Sequence, residues 1–507
     1  MAKSFIHYDT KNNIQYASVY TPSRKNGKKD NSPMYLGRVL DKDNGIYKSR
    51  QRGVFKYTLE GGFQECTDQE AASVETVHEE KLILDFGDAF LCDSLVRSSE
   101  YNEVFTSFLD NKKDADTLMS LAFYRVLSHE ANCYAADWYQ GSYARIMYPD
   151  AELSSQRISE FLEKIGDEAL QRKFFRNYLS VLTNGKCKNG ILIDSTGLPN
   201  QIDFPLTALN NHAGVVNNEV RLIMITDKAT GMPMYFRYNA GNIVDVATLS
   251  TTIKELQLMN VNADLAIVDS GYFSEENIKM LYSEKIAFLT RMGSNRKLYK
   301  QLVEDNADDL TKSKYIVIYS DRILHVKKVE TDLFGNKGYA YVIIDENKRR
   351  DESEKYIKAA VEDGVTADEM DKELKKKGIF ILVSSEDIDT ADIVPMYYTR
   401  QQIEQVFDIS KTSVDLLPLR VHSEKTFRGH LFIVFLATLI RIIISNKLTD
   451  WNFNTNASLI AMRNLKCKVF DNHILVKEPT KKMKNIAKLA GITLPSILKR
   501  GKKNLGN

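Results

Sequence analysis

The chain carries almost no net charge. Its 507 residues hold 69 Lys plus Arg against 67 Asp plus Glu, a balance of +2. A whole-chain basic signal for nucleic acid is therefore missing, and any such signal must be local. Cysteine is scarce: Cys66, Cys92, Cys133, Cys187 and Cys467 lie far apart with no CxxC pair. That argues against a structural zinc knuckle and against a disulfide scaffold, and fits a reducing cytoplasm. Long apolar runs are also missing. The best one, Leu431 to Ile440, is ten residues long and is closed by Arg441, whereas a spanning helix needs about 20. It reads as a buried core helix, and no membrane partner is expected. The N-terminal MAKSFIHYDTKNN lacks the apolar stretch of a signal peptide. No internal repeat is present. The eight histidines show no HExxH or comparable spacing, so His422 and His430 read as packing or backbone contacts.

What is present is ordinary globular composition, 43% hydrophobic and 27% charged, enough for three or four folded units at about 150 residues each. Residues 1–85 are rich in tyrosine, glycine and charge, with turn signals at Asn26-Gly27, Asp43-Asn44-Gly45 and Gly61-Gly62, and read as a small β unit. Residues 86–185 take helical periods. Within them Ser154 precedes Ile158, Phe161, Leu162 and Ile165, the pattern of a capped amphipathic helix. From 186 to 294 the texture is α/β. Apolar strands at 190–194 and 263–269 end in Asp194 and Asp269, two hairpin-connected strands lie at 220–226 and 233–238, and another lies at 287–291. Residues 295–391 read as a mostly-β insertion, and helical texture returns over 392–463. The tail 464–507 holds eleven Lys or Arg against two acids, so the local basic signal is concentrated there.

Candidate chemistry rests on carboxylates. Tyr397, Arg400, Glu404 and Lys411 sit at offsets 0, 3, 7 and 14, which at about 100° per residue places them within roughly 60° of one another on a helix. Ile403, Val406, Phe407 and Ile409 fall mainly on the other side. Taken alone, such a stripe is most often a solvated face, and one strand-end aspartate is most often a turn or cap. Two such aspartates on strands that could be adjacent, plus Glu404, make three carboxylates able to converge. Like charges so placed need cations, and magnesium fits an all-oxygen site. Two ions about 4 Å apart would activate an attacking oxygen and stabilise the leaving one in phosphoryl transfer.

Three blocks, Ile193-Asp194-Ser195-Thr196, Val268-Asp269-Ser270-Gly271-Tyr272-Phe273 and Tyr397-x2-Arg400-x3-Glu404-x6-Lys411, together resemble bacterial insertion-sequence DDE transposases, in the branch with a Y-R-E-K signature and a β insertion before the glutamate. Asp269 follows Asp194 by 75 positions and Glu404 follows Asp269 by 135, room for such an insertion. Arg420-Val-His422 and Phe427-Arg-Gly-His430 resemble the C-terminal block of that family. The resemblance implies an RNase H-like fold with Asp194 on the first strand, Asp269 on the fourth and Glu404 on a late helix. These three would be the catalytic and metal-binding residues, holding two magnesium ions, with manganese able to substitute. It further implies cleavage at the ends of a mobile element and joining of the freed 3′-OH to target DNA.

By the same resemblance Tyr397, Arg400 and Lys411 would hold DNA backbone near the cut, as guanidinium, ammonium and phenol groups are suited to do. The implied partners are double-stranded DNA, as terminal inverted repeats and as target, and a second copy of the chain on paired ends. The helical region 86–185 is the natural candidate for recognising the ends. Two alternatives stay open: an RNase H-like nuclease that cuts without joining, and a catalytically inactive DNA-binding descendant.

Overall fold

The computed structural model describes residues 4–11, 14–25, 28–30, 33–67, 82–128, 130–184, 189–200, 205–212, 215–243, 245–419, 421, 423–448, 454–470 and 472–499. The chain forms two compact units, 1–88 with 460–488 and 493–507, and 89–459 with 489–492.

In the first unit, strands Phe5–Lys11, Ile14–Tyr20, Met34–Asp41, Ile46–Ser49, Gly53–Thr58 and Gly62–Glu65 form an antiparallel sheet in chain order. Ala17 and Val19, two apart on one strand, share a face and pack with Leu36, Tyr47 and Phe55. The segment after 464 departs from the tail expected of its charge. Lys466–Val469, His473–Val476 and Ile497–Lys499 are strands of a four-stranded sheet completed by Leu82–Asp85. The reason is a period of two beneath the lysines: Leu84, Cys467, Val469, Ile474 and Val476 are all buried, and this apolar row folds the segment while its lysines stay outward. Arg500, Lys502 and Lys503 lie outside the described residues.

The second unit is built on one mixed sheet. Its strands are β1 (Asn189–Pro199), β2 (Ala208–His212), β3 (Val215–Asp227), β4 (Pro233–Ala240), β5 (Ala263–Val268), β6 (Ala287–Met292), β7 (Ile316–Tyr319), β8 (Arg322–Asp332), β9 (Lys337–Asp345) and β10 (Ile379–Ser384). Their order is β2-β3-β1-β5-β6-β10-β9-β8-β7, with β4 also paired to β3. Among the described strand pairings of this sheet, β1–β5 and β5–β6 are parallel and the others antiparallel. Ile191, Leu192 and Ile193 are buried in succession, as a strand covered on both faces requires. The stretch 295–391 joins this sheet: β10 pairs antiparallel with β6, and β9, β8 and β7 follow. An unpaired β6 edge would leave a row of backbone donors and acceptors open, and β10 closes it. The stretch also holds helices at Lys297–Asn306, Glu346–Glu362 and Ala367–Leu374, so it is mixed rather than mostly β.

The helices that matter here are α1 (Lys112–Leu127), α2 (Ser155–Ile165), α3 (Glu168–Leu182), α4 (Leu249–Leu258), α5 (Glu275–Ser283), α6 (Ile393–Tyr398), α7 (Gln401–Asp408) and α8 (Glu424–Lys447). Ser154 caps α2 by accepting from the Arg157 N–H, and Ile158, Phe161, Leu162 and Ile165 are its buried face. Ser274 caps α5 in the same way. Helix α8 is long and apolar enough to cross a membrane by length and composition, yet it is buried within the protein. It is the core helix the short apolar run suggested, with burial spreading from Phe427 to Ile444. Helices α1 and α2 pack on it. Phe174, Phe175 and Tyr178 of α3 meet Phe432 and Phe435 of α8 and Phe236 of β4 in edge-on contacts. The helical region is thereby fused to the sheet.

Helices α2 and α8 touch backbone to backbone. A Cβ on Gly429 would lie 1.9 Å from the Leu162 carbonyl oxygen, and one on Gly166 would lie 2.0 Å from that of Lys425. Gly429→Ala should force the pair apart at a cost of about 3 kcal/mol, seen as a lower calorimetric unfolding temperature. A wild-type value would show that the crossing can relax. His430, one residue on, is buried and its Nε2–H donates to the Leu416 carbonyl at 3.0 Å. Burial, and then the nearby Arg125 charge, push its pKa down to about 4 against an ordinary 6.5, although the Leu416 bond opposes the shift. The imidazole is therefore neutral when folded and takes a proton more readily when unfolded. Its contribution is fully present above about pH 6.5 and is lost as pH falls toward 4, amounting to about 3 kcal/mol over that window. His430→Gln should flatten this part of the stability–pH curve, measured by urea unfolding between pH 4 and 7.

Candidate active site

The parallel register of β1 and β5 pairs Ile193 with Val268, so Asp194 and Asp269 follow side by side. Asp269 comes directly after β5, as expected of a strand end. Asp194 does not end its strand: β1 runs on to Pro199 along β3. The parallel pairing with β5 stops at Ile193, however, and Asp194 stands where β5 turns away, so its side chain is still at an opening in the sheet. The Ser195 N–H donates to Asp194 Oδ1 at 2.8 Å.

The Tyr397 to Lys411 segment is not one regular helix. Helix α6 ends at Tyr398, α7 begins at Gln401, and a π turn spans Ile409–Ser413. The predicted apolar side holds, with Ile403, Val406 and Phe407 buried. The polar stripe, however, is largely turned onto the sheet. Arg400 Nη2 meets Asp194 Oδ2 at 2.8 Å, and Nη1 meets Asp269 Oδ1 at 3.0 Å. Nη1 also donates to the Tyr397 hydroxyl at 3.0 Å, and that hydroxyl donates to Asp269 Oδ1 at 3.4 Å. Lys411 Nζ donates to Thr196 Oγ1 at 2.6 Å. Glu404, one turn beyond Arg400, is exposed. The structure thus gathers Asp194, Asp269, Tyr397 and Arg400 at one point and sets Lys411 on Thr196, two residues further along β1, while Glu404 is exposed and is not among the groups gathered there. Among the described residues no three metal-ligating side chains form a cluster. One guanidinium opposes two carboxylates here, and a third carboxylate would add repulsion without a matching charge.

Burial raises the Asp194 pKa despite the opposing pull of Arg400 and the Ser195 N–H, and the Asp269 charge adds to the rise. Burial also pushes the Tyr397 phenol up to about 12. Burial works against the Arg400 charge, but Tyr397, Asp194 and Asp269 more than restore it, so its pKa is raised. Lys411 is lowered by burial, with Glu219 opposing. The oxygens of the aspartate pair are hard donors already converging on one cation, which fits a divalent ion such as magnesium.

A support layer on the reverse face of β1 escaped the sequence reading. The Ser195 hydroxyl donates to Asp245 Oδ1 at 2.5 Å, and Arg221 Nε reaches the same oxygen at 3.2 Å. Glu219 accepts from Asn210 and lies so close over Gly197 that a Cβ there would be 2.1 Å from its carboxylate. The available signal was Arg221 inside the apolar strand Val220 to Thr226. A charged residue in such a run needs a buried partner. Arg420 and His422 lie outside the described residues.

No curated protein matches the chain. Among solved structures, the cryo-EM structure of a piggyBac transposase synaptic complex with hairpin DNA is 13% identical, over 74% of this chain and 79% of that one, with a TM-score of 0.39. The family described as Transposase DDE domain matches residues 185–440. That span covers half the chain and takes in both aspartates and the whole segment from Tyr397 to Lys411, and the protein belongs to the DDE transposases.

Proposed function

We propose that the protein binds the ends of an insertion sequence, cleaves the DNA there and joins the freed 3′-OH to target DNA. The observation that carries this reading is the convergence of Asp194 and Asp269 on one cation position beside two parallel strands. The order β4-β3-β1-β5-β6, with β1, β5 and β6 parallel, supports an RNase H-like core. Asp194, Asp269 and Glu404 would hold two magnesium ions, with manganese able to substitute, and Glu404 would have to join the pair from its exposed position on α7. Bound metal would supply Lewis-acid stabilisation of charge on the reacting oxygens. Tyr397, Arg400 and Lys411 would meet DNA backbone beside the reacting phosphate.

One further feature supports DNA as the partner. Helix α3 exposes Arg172, Lys173 and Arg176, which with Lys425 line an open groove of about 680 Å³. Phosphate contacts of this kind position a duplex without reading its sequence. Both ends of an element must be cut together, so a homodimer on paired ends is the assembly proposed, acting at the bacterial nucleoid. The test is a strand-transfer assay with magnesium, a plasmid carrying the element's inverted repeats and a target plasmid. Cleaved ends and joined products are expected. Cutting without joining would favour a nuclease, and end binding without cutting an inactive descendant.

A further inference from the structure

Arg400 was expected to be a DNA contact, yet it lies inside the protein. Its side chain is 12% exposed and reaches Asp194 and Asp269 with different nitrogens. The oxygens it holds, Asp194 Oδ2 and Asp269 Oδ1, are those turned toward the space the two residues share. Asp194 Oδ1 already accepts the Ser195 N–H. An ion placed between the two carboxylates therefore competes with Arg400 for these oxygens.

We propose that Arg400 is the internal counter-cation of the aspartate pair: it holds Asp194 and Asp269 converged, and it must leave that place for a divalent ion to bridge them. The inference rests on the reading that the pair binds metal. Two facing carboxylates repel unless a cation stands between them. A guanidinium is suited to the task because its planar fork can serve two acceptors at once and it stays charged when buried. The position also leaves something unsatisfied. Arg400 Nε is buried with no hydrogen-bond partner, a cost that release removes. A released Arg400 could donate its free fork to a DNA phosphate, which would make metal entry and DNA engagement parts of one exchange. The Tyr397 hydroxyl, bonded to both Arg400 and Asp269, limits the directions in which the guanidinium can withdraw.

The experiment measures Mn²⁺ binding to the full chain without DNA, by electron paramagnetic resonance of the free ion, at an ionic strength where all variants are soluble. Arg400→Ala should bind its first Mn²⁺ about tenfold or more tightly than wild type, because the competing internal cation is gone. Arg400→Lys, which keeps one charge and loses the fork, should fall between them. It also guards against a folding artefact, since circular dichroism should match wild type. Asp194→Asn combined with Arg400→Ala should erase the gain. Equal affinity in wild type and in both Arg400 variants would overturn the inference while leaving the metal reading intact. Binding by Arg400→Ala no stronger than by the double variant would overturn both. Metal affinity is read without turnover, so a purely structural role for Arg400 would not produce the predicted order.

Discussion

Asp269→Asn should abolish strand cleavage, by on the order of a thousandfold, the equivalent of about 4 kcal/mol of lost transition-state stabilisation. End binding should survive. The side chain stands just past the end of β5, is 41% exposed, and among the described residues bonds the two groups facing it across the site, Arg400 and Tyr397. The fold does not depend on its charge: β5 is held by β1 and β6 on either side. An asparagine of the same shape can still accept from Arg400, so the loss should be one of chemistry. The check is single-turnover cleavage of labelled end DNA in magnesium, with a gel-shift assay on the same preparation. Cutting at the wild-type rate would remove Asp269 from the metal site.

Glu404→Gln and Lys411→Ala should fail in opposite ways. Glu404 is exposed, and its removal should leave binding nearly unchanged while cleavage falls by on the order of a thousandfold at every protein concentration, if it completes the metal site. Lys411 is half-buried on the π turn and donates to Thr196, two residues beyond Asp194. In the proposed function its ammonium meets a phosphate beside the reacting one. Lys411→Ala should therefore lower the slope of log affinity against log salt by about one. Its cleavage should fall in part and recover once the DNA is saturated. A salt titration of binding and an enzyme titration of cleavage distinguish the two variants. Cleavage by saturated Glu404→Gln, or its loss in fully bound Lys411→Ala, would reverse the assignment.

Local order was written plainly in the chain. The Ser154 and Ser274 caps, the apolar face of α7 and the burial of α8 follow from spacing and capping chemistry, which act over a few residues. The two aspartates were legible for the same reason, since each follows a short apolar run, Asp269 just after β5 and Asp194 after Ile191–Ile193 within β1. Their adjacency needed only that those strands pair in parallel.

Other features depend on partners distant in sequence. The segment after 464 looks like a solvated tail from its charge, but its alternating apolar residues meet Leu82–Asp85 from the far end of the chain, and no local rule names that partner. The stretch 295–391 looks like a separate body, whereas β10 completes the open edge of β6 and makes it part of the same sheet. Tyr397 and Arg400 share a helical face that spacing alone marks as solvated. The sequence by itself singled out the residues proposed to carry the chemistry and the apolar runs and helical spacing that present them. Only the tertiary structure decided that this face turns inward, because Asp194 and Asp269 draw the Arg400 guanidinium that the turn between α6 and α7 brings within reach.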